Sequence, residues 1–133
     1  MEDKITVEKD LEEAIRDYVD ALEKNDMERA LSFFTEDAVW YNPKGVYNGT
    51  KEIKEYLAWL FRVVSEMKFI HDGVGIIVQK DKGVFQHILD CTVRGSKMKV
   101  PTFCTYLFEG KKCRIHRTIK AVDPSQPAKV KKP

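Results

Sequence analysis

At 133 residues the chain is the size of one domain, long enough to bury a single core without disulfide or metal staples. A formal net charge of +2 makes no case for nucleic acid, and no apolar run approaches the ~20 residues of a membrane helix, so neither a polyanion nor a bilayer is an expected partner. Three cysteines, Cys91, Cys104 and Cys113, form no Cys-x-x-Cys pair, and the opening MEDKITVEKD is charged where a secretory signal is apolar; both point to reduced thiols and a cytoplasmic protein.

In chain order, Glu8 to Glu23 predicts an amphipathic helix with Leu11, Ile15, Tyr18 and Leu22 on one stripe. A short helix follows, with Met27, Ala30, Leu31 and Phe34 at helical spacing, Asn25 as its cap and Glu28 reaching back. Ala38 to Tyr41 reads as a strand that Asn42-Pro43-Lys44-Gly45 must break, since proline lacks the ladder donor and glycine accepts positive φ. Asn48-Gly49-Thr50 turns the chain into a third helix, on which Ile53, Tyr56, Leu57, Leu60, Phe61 and Val64 form one apolar stripe. From Lys68 the pattern changes to strands: Lys68 to Gln79, a hairpin signal at Asp81-Lys82-Gly83, Val84 to Arg94, a turn at Gly95, Lys99 to Glu109, a turn at Gly110, and Cys113 to Asp123. Helices first and a four-stranded antiparallel meander last make the class α+β, in one domain over residues 1–124. Residues 125–133, rich in proline and lysine, read as a disordered basic tail.

The charge is unevenly spread: residues 1 to 66 carry 16 acids and 9 bases, and residues 67 to 133 carry 5 and 14. Lysine-rich strands of this kind keep exposed faces and sheet edges soluble. Phosphate-loop, dinucleotide, His-Glu-x-x-His and Gly-x-Ser-x-Gly motifs are absent, and His71, His87 and His116 have no ligand-type spacing, so no metal or other cofactor is expected.

Phe34, Asp37-Ala38-Val39, Asn42-Pro43, Gly45, Gly49 and Glu52-Ile53 carry a resemblance, extending over roughly residues 8 to 123, to the superfamily of nuclear transport factor two, ketosteroid isomerase, limonene epoxide hydrolase, scytalone dehydratase and the SnoaL-like polyketide cyclases. The resemblance implies a cone-shaped, cystatin-like roll: three helices packed on a strongly bent sheet around a cavity for a small, largely apolar molecule. Tyr18 falls where ketosteroid isomerases keep an oxyanion-donating tyrosine, but Asn42 and Cys104 stand where they keep two carboxyl groups. Against limonene epoxide hydrolases, Asn42 matches a water-holding asparagine and Asp90 one aspartate, while Trp40, Ile88 and Thr118 replace a tyrosine, an arginine and a second aspartate.

Side chains alternate along a strand, so Gln86, Ile88, Asp90 and Thr92 share one face and Phe85, His87, Leu89, Cys91 and Val93 the other. Periodicity alone turns the apolar row inward. The family layout implies the reverse, with Gln86, Ile88 and Asp90 lining the cavity beside Thr102, Cys104, Tyr106, His116 and Thr118, and the apolar row on an outer face covered by a second copy. On that registration Asp90 is the acid or base, its pKa raised by desolvation, with Tyr18, Asn42 and His116 as hydrogen-bonding partners. Trp40, Tyr56, Leu60, Phe61 and Tyr106 complete the wall. The alternatives for Asp90 are solvent at a strand end, or pairing with Arg117 or Lys99, and His116 and His87 compete with it for the acid-base role. The function this supports is isomerisation, dehydration or hydration, or cyclisation without a cofactor; the other reading is a non-catalytic ligand-binding or dimerisation module of the same fold.

Overall fold

The computed structural model describes residues 4–109 and 114–122, with side chains from residue 8 onward. Helix α1, Lys4–Glu23, turns Leu11, Ile15, Tyr18 and Leu22 into the core, and all four are buried. Its end differs from the expected capping. Asn25 adopts a φ of 53°, the left-handed step that terminates a helix, and it is Asp26 whose side chain accepts from Arg29 N, at 3.2 Å, to cap α2, Met27–Leu31. Phe34 leaves the helical stripe and opens strand β1, Phe34–Asn42.

Gly45–Asn48, read from sequence only as a turn, is a short strand β2 that pairs antiparallel with β1, Trp40 standing opposite Tyr47. Helix α3, Gly49–Val63, follows directly, and Glu52 Oε1 accepts from Asn48 N at 2.7 Å to satisfy a free amide at its start. The remaining strands are β3, Val64–Gln79, β4, Lys82–Val93, β5, Ser96–Glu109, and β6, Arg114–Val122. They form the expected antiparallel meander, and a parallel seam between β6 and β1 joins it to the first hairpin. The six-stranded order β2-β1-β6-β5-β4-β3 leaves the sheet unclosed. The class is α+β, as expected.

Local geometry curves this sheet. Strand β3 slips register between Ser65 and Lys68 and again between His71 and Ile76, with positive φ at Glu66, Gly73 and Gly75, and such bulges bend a strand. Gln86 Oε1 accepts from Val74 N at 3.1 Å and pins the second bulge. The β4–β5 turn is the two-residue pair Arg94-Gly95 with φ of 49° and 89°, matching the twist of a tight hairpin. The β3–β4 turn is Lys80-Asp81, one step earlier than the Gly83 signal suggested. Gly83 lies inside β4 for a packing reason: a Cβ there would come 2.7 Å from Ile15 Cδ1 of α1.

The inward face of β4 carries Gly83, Phe85, His87, Leu89 and Cys91, all buried, while Gln86, Ile88, Asp90 and Thr92 occupy the opposite face. This corrects the registration implied by the family layout. Residues directly opposite in an antiparallel pair share a face, and Phe85 stands opposite Cys104, His87 opposite Thr102 and Leu89 opposite Val100, all three of those β5 residues facing inward. The apolar row of β4 is therefore core, with Leu89 only 8% exposed, and is no surface for a second copy. Exposed apolar side chains on the sheet are instead Ile70, Val74, Ile77, Phe103 and Ile119. The proposed tail, residues 125–133, and Cys113 lie outside the described residues.

Leu57 is fully buried where α3 meets the core. Replacing Leu57 with alanine is expected to cost about 2–5 kcal/mol of stability, read as a lower urea midpoint with an unchanged slope.

Candidate functional site

Between the helices and the inner face of the sheet lies a funnel in two parts that share Leu60 of α3 and Lys120 of β6. The mouth has a volume of about 270 Å³ and is mostly apolar, walled by Trp59, Val63, Leu89, Val100 and Met98, with Asn42 and Lys44 at its rim. The deep chamber is only about 30 Å³, and Tyr18, Trp40, His87, Cys104, Tyr106 and Thr118 surround it.

Strand alternation and register put these side chains together. Trp40 stands opposite Thr118, and Thr118 opposite Tyr106; one pleat further along β6, Lys120 stands opposite Cys104, which stands opposite Phe85. Asn42 follows Trp40 on the same face of β1 and so reaches the level of Lys120. Tyr18 comes from α1 and packs edge-on against Phe34 and Tyr106, with ring centroids 5.4 and 6.1 Å away. Trp40 and Tyr56 make a similar contact at 4.9 Å.

The electrostatics follow from burial. Desolvation first, then the neighbouring Cys104 and Tyr56, holds the Tyr18 hydroxyl well above the usual phenol range; Tyr106 and Tyr56 are raised for the same leading reason. These phenols stay protonated and can donate. Burial also pushes up the thiols of Cys91 and Cys104, so neither is a poised nucleophile. His87, 1% exposed and packed at a tilt against Phe85 and Phe69, is depressed to about 4, mainly by desolvation, which outweighs the opposing effect of the Phe85 backbone and is helped to a lesser degree by the charges of Lys120 and His71. Neither of its ring nitrogens has a partner in hydrogen-bond geometry. At neutral pH it is an uncharged imidazole.

Of the residues singled out from sequence, the structure brings together Tyr18, Trp40, Leu60, Cys104, Tyr106 and Thr118 around the chamber, and Asn42 and Tyr56 in the mouth. It does not bring in Asp90, Gln86 or Ile88, which lie on the far face of β4; Asp90 stands there between Lys68 and Lys99 on the adjoining strands. The premise of a carboxyl group desolvated by the cavity fails with that placement. His116 occupies the step where β5 and β6 slip register, its Nδ1 3.0 Å from Glu109 Oε2 and 3.8 Å from Asp37 Oδ1, both on exposed side chains. Phe61 packs against the core without lining the funnel, and Trp59 supplies the aromatic wall in its place. The sequence reading missed Lys120, and it weighed His87 for the acid-base role while setting it on the outer row of β4. The signal for each was available: His87 interrupts the apolar row of β4, and Lys120 is two residues beyond Thr118 on the same face.

The depressed value of His87 fixes a pH dependence. The unfolded chain takes up its proton near 6.5 and the folded chain only near 4, so between these values the unfolded state holds the extra proton. Stability is full above about 6.5 and declines as pH falls toward 4. His87→Gln should flatten that decline in urea melts taken across the interval, and an equally steep acid limb in the variant would contradict this assignment.

A family model for the SnoaL-like domain matches residues 15–118. No curated protein sequence matches the chain. Among solved structures, a candidate SnoaL-like polyketide cyclase from Shewanella denitrificans is 17% identical with a TM-score of 0.81, covering 90% of this chain and 95% of that one. PrhC from Penicillium brasilianum is 16% identical with a TM-score of 0.80, over 93% and 87% of the two chains. TerC, co-crystallised with polyporic acid, is 21% identical with a TM-score of 0.75, over 90% and 96%. At such identities these likenesses speak for the fold, and they agree with the family match in spanning it from α1 to β6: the chain belongs to the SnoaL-like domain family.

Proposed function

We propose that the protein binds a small, largely apolar molecule in the funnel and promotes a cofactor-free proton transfer on it, of the kind used in isomerisation, dehydration or cyclisation. The observation that carries this reading is the gradient along the funnel: an apolar mouth of about 270 Å³ narrows to a chamber ringed by Tyr18, His87, Tyr106 and Thr118. An apolar body held in the mouth would present one polar end to that ring. The chemistry proposed is proton abstraction beside a carbonyl, with neutral His87 accepting the proton and the phenol of Tyr18 donating to the developing enolate oxygen. Asp90 has no part in it.

A second reading, binding without turnover, is favoured by two observations: no carboxylate of the described residues lines the mouth or the chamber, and His87 is a weak base at about 4. Self-association, where it occurs, would use the outer sheet face around Phe103 and Ile119, since the row containing Leu89 is buried. No described helix is long and apolar enough to cross a membrane.

One pair of measurements separates the two readings. Both tryptophans of the chain line the funnel, so saturable quenching of intrinsic fluorescence by 2-acetonaphthone, a neutral methyl ketone, should report occupancy, and Val93→Phe in the mouth should weaken it. Exchange of the ketone's methyl protons in deuterium oxide, followed by NMR, then tests the chemistry. Acceleration by the protein that His87→Gln removes is the expected result; binding without acceleration selects the non-catalytic reading, and no saturable binding sinks both.

A further inference from the structure

We infer that the neck of the funnel is an anion-binding subsite centred on Lys120, and that the ligand is an amphiphile with a carboxylate or enolate oxygen at one end of an apolar body. This rests on the cavity-binding reading above and adds the ligand's charge to it.

Lys120 borders both the mouth and the chamber, and no carboxylate of the described residues pairs with it. Besides the His87 ring, two unpaired polar groups near it are donors. Trp40, 5% exposed, has a buried indole Nε1–H with no acceptor. Asn42 has its amide fixed by Oδ1, which accepts from Lys44 N at 2.8 Å, and this leaves its buried Nδ2 donor without a partner. The β1–β6 register sets these groups side by side, Trp40 opposite Thr118 and Asn42 at the level of Lys120. At the rim, Lys44 Nζ lies 4.3 Å from the centre of the Trp59 ring and adds a second positive charge with no acid nearby among the lining residues. A neutral ketone can accept from one or two of these donors. An anionic oxygen can accept from several while answering the lysine's charge, and hydrogen bonds to charged partners are the stronger kind. The apolar walls of the mouth then select a hydrophobic body over a small inorganic anion, which would gain nothing from Val63, Leu89 or Met98.

The test compares 2-naphthoate with 2-acetonaphthone, near-isosteric probes that differ in carrying a carboxylate or an acetyl group, by tryptophan fluorescence near neutral pH. The wild-type protein should bind naphthoate about tenfold or more tightly than the ketone, and Lys120→Met should erase that preference by weakening naphthoate far more than the ketone. Lys120→Arg, which keeps the charge, should keep the preference and guards against a methionine variant that does not fold. If the ketone binds and naphthoate binds no better, or if Lys120→Met weakens both probes alike, the anion subsite is wrong and the binding cavity stands. If neither probe binds the wild-type protein, the cavity-binding reading itself fails and the subsite goes with it.

Discussion

The row Phe85–Cys104–Lys120, three residues directly opposite one another on β4, β5 and β6, is the constraint from which the site follows. Side chains at opposite positions share a face, so once Cys104 is buried beneath the helices the other two must also point inward. Phe85 then joins the core and brings His87, Leu89 and Cys91 with it at every second position. Lys120 enters the same space from the other side, with Thr118 a pleat before it. A shift of one residue in β4 would exchange the whole inner row for its outer neighbours, replacing Phe85 and Leu89 with Gln86 and Asp90 and exposing the apolar set to water. The helices enforce the choice. Ile15 rests on Gly83, and the close approach leaves no room for a side chain there.

This row also marks where sequence reasoning succeeded and where it failed. The stripe of α1 and that of α3 are strongly periodic, and every residue placed on the first was found buried. The meander was legible because Asp81-Lys82-Gly83 and Gly95 carry turn chemistry between runs of β-branched and aromatic residues, even though the first turn falls one step earlier. The parallel seam between β1 and β6 was not, since no local pattern reports which distant strand will pair. The face of β4 is the instructive failure. Its own alternation, with Phe85, Leu89 and Cys91 in phase, pointed inward correctly, and a layout borrowed from relatives overruled it. Tyr106, Cys104 and Thr118 were assigned to the inner face on the same borrowed layout, so the mistaken strand contradicted its neighbours, but only the cross-strand register makes that contradiction visible.

Lys120, which was missed, and His87, which was weighed but set on the wrong face, share a physical trait: each is polar on a largely apolar face. Such a residue reads from sequence as an interruption of the pattern, and the usual inference is that the strand face has been misjudged or that the side chain reaches water. Here neither holds for His87, whose ring is enclosed by Phe69 and Phe85 with both nitrogens unpartnered. A buried polar group left unsatisfied costs roughly 1–3 kcal/mol, and this funnel keeps several, on His87, Trp40 and Asn42. Apart from His116 Nδ1, which lies away from the funnel, these are the unpartnered buried side-chain atoms of the described residues, and they line one cavity. Selection for stability alone would have replaced them with apolar side chains of similar size, so their concentration along the funnel has the character of a functional site that trades stability for recognition.

The same concentration distinguishes this chain from the carboxylate-based enzymes its fold resembles. Where ketosteroid isomerases keep acidic groups, Asn42 and Cys104 stand here, and the charged groups contributed to the cavity by the described residues are the lysines Lys120 and Lys44. A carboxylate in an apolar pocket becomes a stronger base because burial disfavours its charge; an imidazole in the same setting becomes a weaker one, as His87 does at about 4. The balance of the site therefore shifts from taking a proton to holding negative charge, through the lysine, the indole, the amide and the protonated phenols. An anion entering the neck would also reverse the local logic at His87, since a negative neighbour favours the imidazolium that desolvation and Lys120 now oppose. A ligand that brings its own charge would thus supply the basicity the empty cavity lacks, and the proton transfer and the anion preference would then be two consequences of one arrangement of donors.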